Sequence, residues 1–125
     1  HISIYYVTRA YQTRHGNGPM TNAGMDISYI KPNPKETNVD TGSQGAFRKS
    51  VLDIDLLSYA LSCDRYYRLD AMKKNLVITC MDQVGERIPA TTFEGKLLSL
   101  TPKEIGNWLS ISNVYTSNSD KGIVI

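Results

Sequence analysis

Long apolar runs are missing from this chain. No segment approaches the roughly 18 apolar residues that a membrane-spanning helix needs, and no charged stretch followed by an apolar one opens the sequence as a signal peptide would. Membrane partners are therefore excluded, and a cytoplasmic protein is expected. Cysteine is scarce: Cys63 and Cys80 are the only two, without the spacing of a zinc site or a disulfide framework, so two reduced thiols and no metal site are expected. A lysine-bearing phosphate loop is lacking too, because Gly16-Asn17-Gly18 has no lysine and does not run from a strand into a helix. Repeats and low-complexity segments are absent, as is a dense basic stripe with interleaved aromatics, which argues against nucleic acid. The chain begins at His1 without methionine and enters a strand-like alternation at once, which reads as a piece of something longer.

What is present is enough for one core. The 125 residues are 41% hydrophobic, about one domain in length. The net charge of +2 is uneven: residues 1–50 hold six basic and three acidic residues, residues 51–125 eight and nine. A positive excess carried by loops suits a small anionic ligand better than a polynucleotide.

Ile2, Ile4, Tyr5 and Val7 alternate as a strand over residues 2–8. The strand leads into Ala10-Tyr11-Gln12-Thr13-Arg14-His15-Gly16-Asn17-Gly18-Pro19, a basic loop that offers backbone amides and a guanidinium to an anion. A plain Gly/Asn/Pro turn with an exposed arginine is the competing reading. Arg14 suits phosphate geometry, but pairing with a neighbouring carboxylate suits it equally, and His15 fits an exposed loop position. From Arg9 to Ser50, glycines and prolines break up any long element, and a stretch of that length hints at a binding surface.

Order returns with a helix over residues 51–62, capped by Ser50, with Leu52, Leu56, Tyr59, Ala60 and Cys63 facing the core. Residues 64–74 read as helical or irregular. Leu76 to Met81 is a nearly continuous apolar run, a buried parallel strand ending at Asp82. A carboxylate just beyond such a strand lies where open α/β sheets bind ligands, and it can accept both the ring N–H and the amino group of guanine. A turn or cap role is the alternative. Residues 86–93, with Pro89, read as an edge strand or extended loop. Thr101-Pro102-Lys103-Glu104 opens a helix to Leu109 with a capping box and with Ile105, Trp108 and Leu109 inward. A strand at Asn113 to Tyr115, a polar turn at Thr116 to Asp120 and an apolar end follow. Alternating strands and helices indicate an α/β fold with a mostly parallel sheet, flanking helices and a long functional loop.

Three of these segments, in this order, resemble the C-terminal third of adenylosuccinate synthetase: Ala10 to Pro19, the Leu52-Asp53 to Tyr59-Ala60 helix, and the strand ending Thr79-Cys80-Met81-Asp82. Thr116-Ser117-Asn118-Ser119-Asp120-Lys121 is similar to the family's closing Ser-Thr-Gly-Pro-Asp-Arg turn. The resemblance implies a P-loop-NTPase-like family fragment spanning residues 1–125. It further implies a magnesium-requiring ligase that phosphorylates the 6-oxygen of IMP from GTP (or ATP) and lets the aspartate amine displace that phosphate. On this resemblance Cys80, Asp82, Thr116, Ser117 and Asn118 are expected at the nucleotide base. Arg14, Thr41, Gly42, Ser43, Gln44, Gly45 and Arg48 are expected at the substrates. Cys80 stands where the family has lysine, the loop at residues 41–48 where it has several arginines, and Met20-Thr21-Asn22 where it has Pro-Thr-Glu. These departures point to a divergent branch, such as a viral synthetase that aminates dGMP.

The family's catalytic and magnesium-binding residues lie in its earlier two thirds. No catalytic residue and no turnover are therefore expected of this piece alone, whose partners would be the remainder of the synthetase chain and, as fits the family, a second copy. A non-catalytic nucleotide-binding or assembly module is the alternative.

Overall fold

The computed structural model describes residues 2–38, 45–93, 95–119 and the backbone of 122–124. Its main sheet has four strands in the order β1 (Ser3–Arg9), β5 (Lys73–Thr79), β8 (Asn113–Ser119) and β9 (Gly122–Val124). β1, β5 and β8 are parallel, with Tyr6 opposite Leu76 and Leu76 opposite Val114, and β9 returns antiparallel to β8. A second sheet of three strands joins β4 (Leu52–Asp53), β6 (Ile88–Thr92) and β7 (Lys96–Leu100). β2 (Gln12–His15) and β3 (Phe47–Ser50) form an antiparallel pair. The fold is thus a mixed α/β arrangement with a mostly parallel main sheet and few helices. Among the described residues no helix is long and apolar enough to cross a membrane.

The period of two in β1 forms a strand as the sequence leads one to expect; the apolar run forms β5 but not to Asp82, because the strand ends at Thr79, Cys80 takes a left-handed bend and Met81 begins a helical turn. Leu76 and Ile78 of β5 join Ile54, Leu61, Ile88, Ala90, Ile105, Leu109 and Ile111 in one buried cluster. Burying side chains of this size contributes roughly 1.5–3 kcal/mol each. The other face of β1 keeps Tyr5 and Val7 exposed.

Several expectations are corrected. Residues 9–50 are not simply a loop: β2 and β3 pair within them, with Arg14 opposite Arg48. The helix α1 spans Ile54–Ser62, not 51–62, and its cap is Asp53, whose side chain accepts from the Leu56 amide. Ser50 is buried in β3, and Leu52 pairs with Ala90 as a strand residue. The face turned to the core carries Ile54 and Leu61, not the expected stripe: Leu56 and Tyr59 are 44% and 67% exposed, and Ala60 and Cys63 are exposed as well. Tertiary pairing overrode the local helical spacing at residues 51–53. Arg65–Arg68 is a short 3-10 turn.

β6 is a central strand, not an edge. Pro89 is tolerated there because β4 pairs only with Ala90 and Thr91 on one side, leaving the position of the missing amide free of a ladder bond. Trp108 is 37% exposed and stands edge-on against Phe93 at 4.9 Å, so it caps a surface rather than a core. The residues expected to turn after Tyr115 continue as strand through Ser119.

The helix α3 (Pro102–Trp108) carries the expected capping box, with Thr101 accepting from the Glu104 amide and the Glu104 carboxylate accepting from the Thr101 amide. Gly106 lets this helix approach β8 closely, since a β-carbon there would lie 2.4 Å from Val114 Cγ2 and 2.6 Å from the Ile111 carbonyl oxygen. The Gly106→Ala variant is expected to lose about 1–3 kcal/mol of stability through overpacking, read as a lowered urea midpoint at unchanged slope.

Candidate functional site

Two regions gather the residues singled out by the sequence. The first lies at the carboxyl ends of β5 and β8, where a one-turn helix, α2 (Met81–Val84), follows β5. Cys80 makes the bend with φ of 63°, in the left-handed region. Such a turn swings the next residues over the strand end, where open α/β sheets receive ligands. A cleft of about 430 Å³ there is lined by Met81, Asp82, Gly85, Glu86, Pro102, Thr116 and Asn118. Its size falls in the range of small-molecule sites. Asp82, Thr116 and Asn118 are thus brought together from distant parts of the chain.

Two other expected base residues are not part of that lining. Ser117 sits between Thr116 and Asn118 on β8, so strand alternation turns it away, and its buried hydroxyl donates to the Ser119 carbonyl at 2.8 Å. Cys80 is half-buried at the bend, and its sulfur accepts from the Thr79 hydroxyl at 3.8 Å. The Asp82 carboxylate is exposed and has no hydrogen-bond or ion-pair partner among the described residues. Glu86 also lines the cleft, and because the helix ends at Gly85 no helical spacing from Asp82 pointed to it.

The second region is built by β2, β3 and the irregular segment between them. A cleft of about 660 Å³ is lined in part by Asn33, Glu36, Asn38, Phe47, Arg48 and Lys49. Arg14 faces a neighbouring cleft with Gln12, Pro19 and Leu56. Arg14 donates to the Pro19 carbonyl at 2.9 Å and Arg48 to the Gly18 carbonyl, so both guanidiniums also brace the glycine turn. The Arg48 Nε is buried and has no hydrogen-bond partner among the described residues. Gly45 lines neither cleft; its φ is +87° and a β-carbon would lie 2.8 Å from Gly16 Cα, a close backbone approach that favours glycine. Thr41, Gly42, Ser43 and Gln44 lie outside the described residues.

Cations crowd this region. Arg9 and Lys49 lie over the Tyr11 ring at 5.7 and 5.5 Å, and over the Phe47 ring at 5.7 and 6.0 Å. Glu36 answers them, accepting from Arg9 at 2.8 Å and from the Asn38 side-chain amide at 2.7 Å. The Arg9 hydrogen bond, helped by Asn38, holds the Glu36 carboxyl down to about 2 against the opposing effect of burial. Burial disfavours the Arg9 charge, but the Glu36 and Tyr11 hydrogen bonds outweigh it and push the guanidinium further up. His15 Nε2 lies 3.0 Å from Asn38 Oδ1, and since the Asn38 amide nitrogen is spent on Glu36, His15 carries its proton on Nε2.

The arrangement can bind a polar anionic ligand against Arg48 and Lys49 and a hydrogen-bond-donating group against Asp82. Among the described residues no cluster of three or more His, Cys, Asp or Glu is placed to hold a metal ion. No family model, curated protein or solved structure matches the chain.

Because the folded Glu36 pKa lies below its ordinary 4.5, the contact stabilises the protein above that value and the contribution is lost as pH falls toward about 2. Urea unfolding between pH 5 and about 2 is expected to show a shallower acid loss in Glu36→Gln than in the parent.

Proposed function

We propose that this chain is the nucleotide-binding C-terminal part of a cytoplasmic, P-loop-NTPase-like ligase of the adenylosuccinate synthetase kind. Such a ligase joins aspartate to IMP, or to a related 6-oxopurine nucleotide such as dGMP, with hydrolysis of GTP or ATP. The observation that carries the reading is the convergence of Asp82, Thr116 and Asn118 on one cleft at the carboxyl ends of two parallel strands. A free carboxylate beside strand-end polar groups suits the N1–H and 2-amino edge of guanine, which presents two donors to one acceptor.

The second cleft supports the substrate side. Arg48 and Lys49 offer charge to a phosphate or to the carboxylates of aspartate. Phosphoryl transfer and magnesium binding are assigned to the remainder of the synthetase. The main sheet leaves room for that partner: β1 is an edge strand with Tyr5 and Val7 exposed, and parallel sheets are ordinarily covered on both faces.

Calorimetric titration with GTP, ATP and dGMP tests the base site. Asp82→Asn is expected to weaken GTP binding by about tenfold or more while leaving ATP unchanged, because hydrogen bonds to a charged group are worth roughly 1.5–3 kcal/mol. Unchanged GTP affinity and preference would remove Asp82 from the base.

A further inference from the structure

Gln83 is next to Asp82 and contributes nothing to the cleft lining, yet it is 2% exposed and every polar function of its side chain is used. Its Oε1 accepts from the Tyr11 hydroxyl at 2.9 Å, and its Nε2 donates to the Lys31 carbonyl at 2.7 Å. The Lys31 amide in turn donates to the Gln83 main-chain carbonyl at 2.8 Å. Tyr11 is 1% exposed and accepts from Arg9 at 3.1 Å, and Arg9 reaches Glu36. Burial pushes the Tyr11 phenol up, so it remains a neutral donor. A continuous hydrogen-bonded path therefore runs from the Glu36 and Asn38 wall of the larger cleft to the helix that carries Asp82.

α2 cannot orient itself. It is a single turn of four residues, its cap residue Cys80 makes no side-chain hydrogen bond to the helix amides, and it ends at Gly85 with φ of 100°. Helices this short have no stability of their own. Its direction is set by what it is tied to: Met81 in the core and Val84 packed against it give apolar contacts, and the side-chain hydrogen bonds that tie it to the rest of the fold are those of Gln83.

We infer that Gln83 is a positioning residue, which holds Asp82 at its cleft by anchoring α2 to the buried Tyr11 hydroxyl and to the Lys31 main chain. The anchoring stands on the hydrogen bonds alone; its consequence for purine binding rests on the function proposed above.

The test uses Gln83→Met and Tyr11→Phe, each close in shape to the parent and lacking the hydrogen-bonding groups. The Gln83 and Gly85 amides, which donate to the Cys80 and Met81 carbonyls, report on α2, and those of Leu76 to Ile78 report on the sheet. Hydrogen exchange is expected to quicken at least tenfold in α2 and to stay unchanged in β5. In calorimetry both variants are expected to weaken GTP binding severalfold, and Gln83→Met to have no further effect when added to Asp82→Asn, as two groups acting through one another should.

Unchanged exchange at α2 overturns the inference. So does an equal loss of GTP affinity with and without Asp82, which marks Gln83 as a general packing residue. A parent chain that binds no purine nucleotide, while α2 still loosens in the variants, overturns the base reading of Asp82 and supports the anchoring by Gln83. If Gln83→Met fails to fold, Tyr11→Phe decides by the same readings.

Discussion

The parallel ladder of β5 between β1 and β8 is the constraint from which the remaining geometry follows. β5 is paired with β1 from Lys73 to Thr79 and with β8 from Asn75 to Ile78. Its register decides that Leu76 and Ile78 enter the core, that Thr79 ends opposite Arg9, and that Thr116 comes up beside Ile78. A slip of one residue would exchange the two faces of the strand. It would turn Asn75 and Val77 toward the core in place of Leu76 and Ile78 and displace the bend at Cys80, so the cleft at the strand ends exists only in this register.

From that ladder the polar structure extends outward in a definite order. The Ala10 amide donates to the Thr79 carbonyl and prolongs the pairing beyond β1, which delivers Tyr11 to the interior beside α2. Tyr11 then gathers Arg9, Lys49 and Gln83 around one ring and one hydroxyl. The segment after β2 is irregular, but it is held: Asn22 donates to the Val51 carbonyl and the Thr91 hydroxyl, Lys31 is tied to Gln83, and Glu36 to Arg9. An irregular stretch that is hydrogen-bonded at intervals can present clefts without a helix or strand beneath them.

Much of the scaffold was legible because the signals were local. The alternation of Ile2, Ile4, Tyr5 and Val7, the apolar run from Leu76 as far as Thr79 and the capping box at Thr101 each state their structure within a few residues. Where local signals misled, a distant partner had intervened. Leu52 and Asp53 carry helical spacing, but Ala90 and Thr91 capture them as a strand. The loop expected through residues 9–50 contains the β2 and β3 pair, whose two halves are too far apart in sequence for any periodicity to relate them. Of the candidate site, Asp82, Thr116 and Asn118 were nameable in advance. Ser117 was not separable from its neighbours until strand alternation turned it aside.

The sequence by itself determined the chemistry on offer: which strands are apolar enough to be buried, where the helix after Thr101 begins with its cap, which carboxylate follows the central strand, and which arginines flank the glycine turn. Those properties belong to single residues and short windows. Only the tertiary structure decided who meets whom. Tyr11 finding Gln83, Arg9 finding Glu36, and Arg14 lying opposite Arg48 are products of chain reversal and register. The physical reason is that a hydrogen bond between distant residues leaves no pattern in either neighbourhood, whereas burial and backbone propensity leave theirs in both.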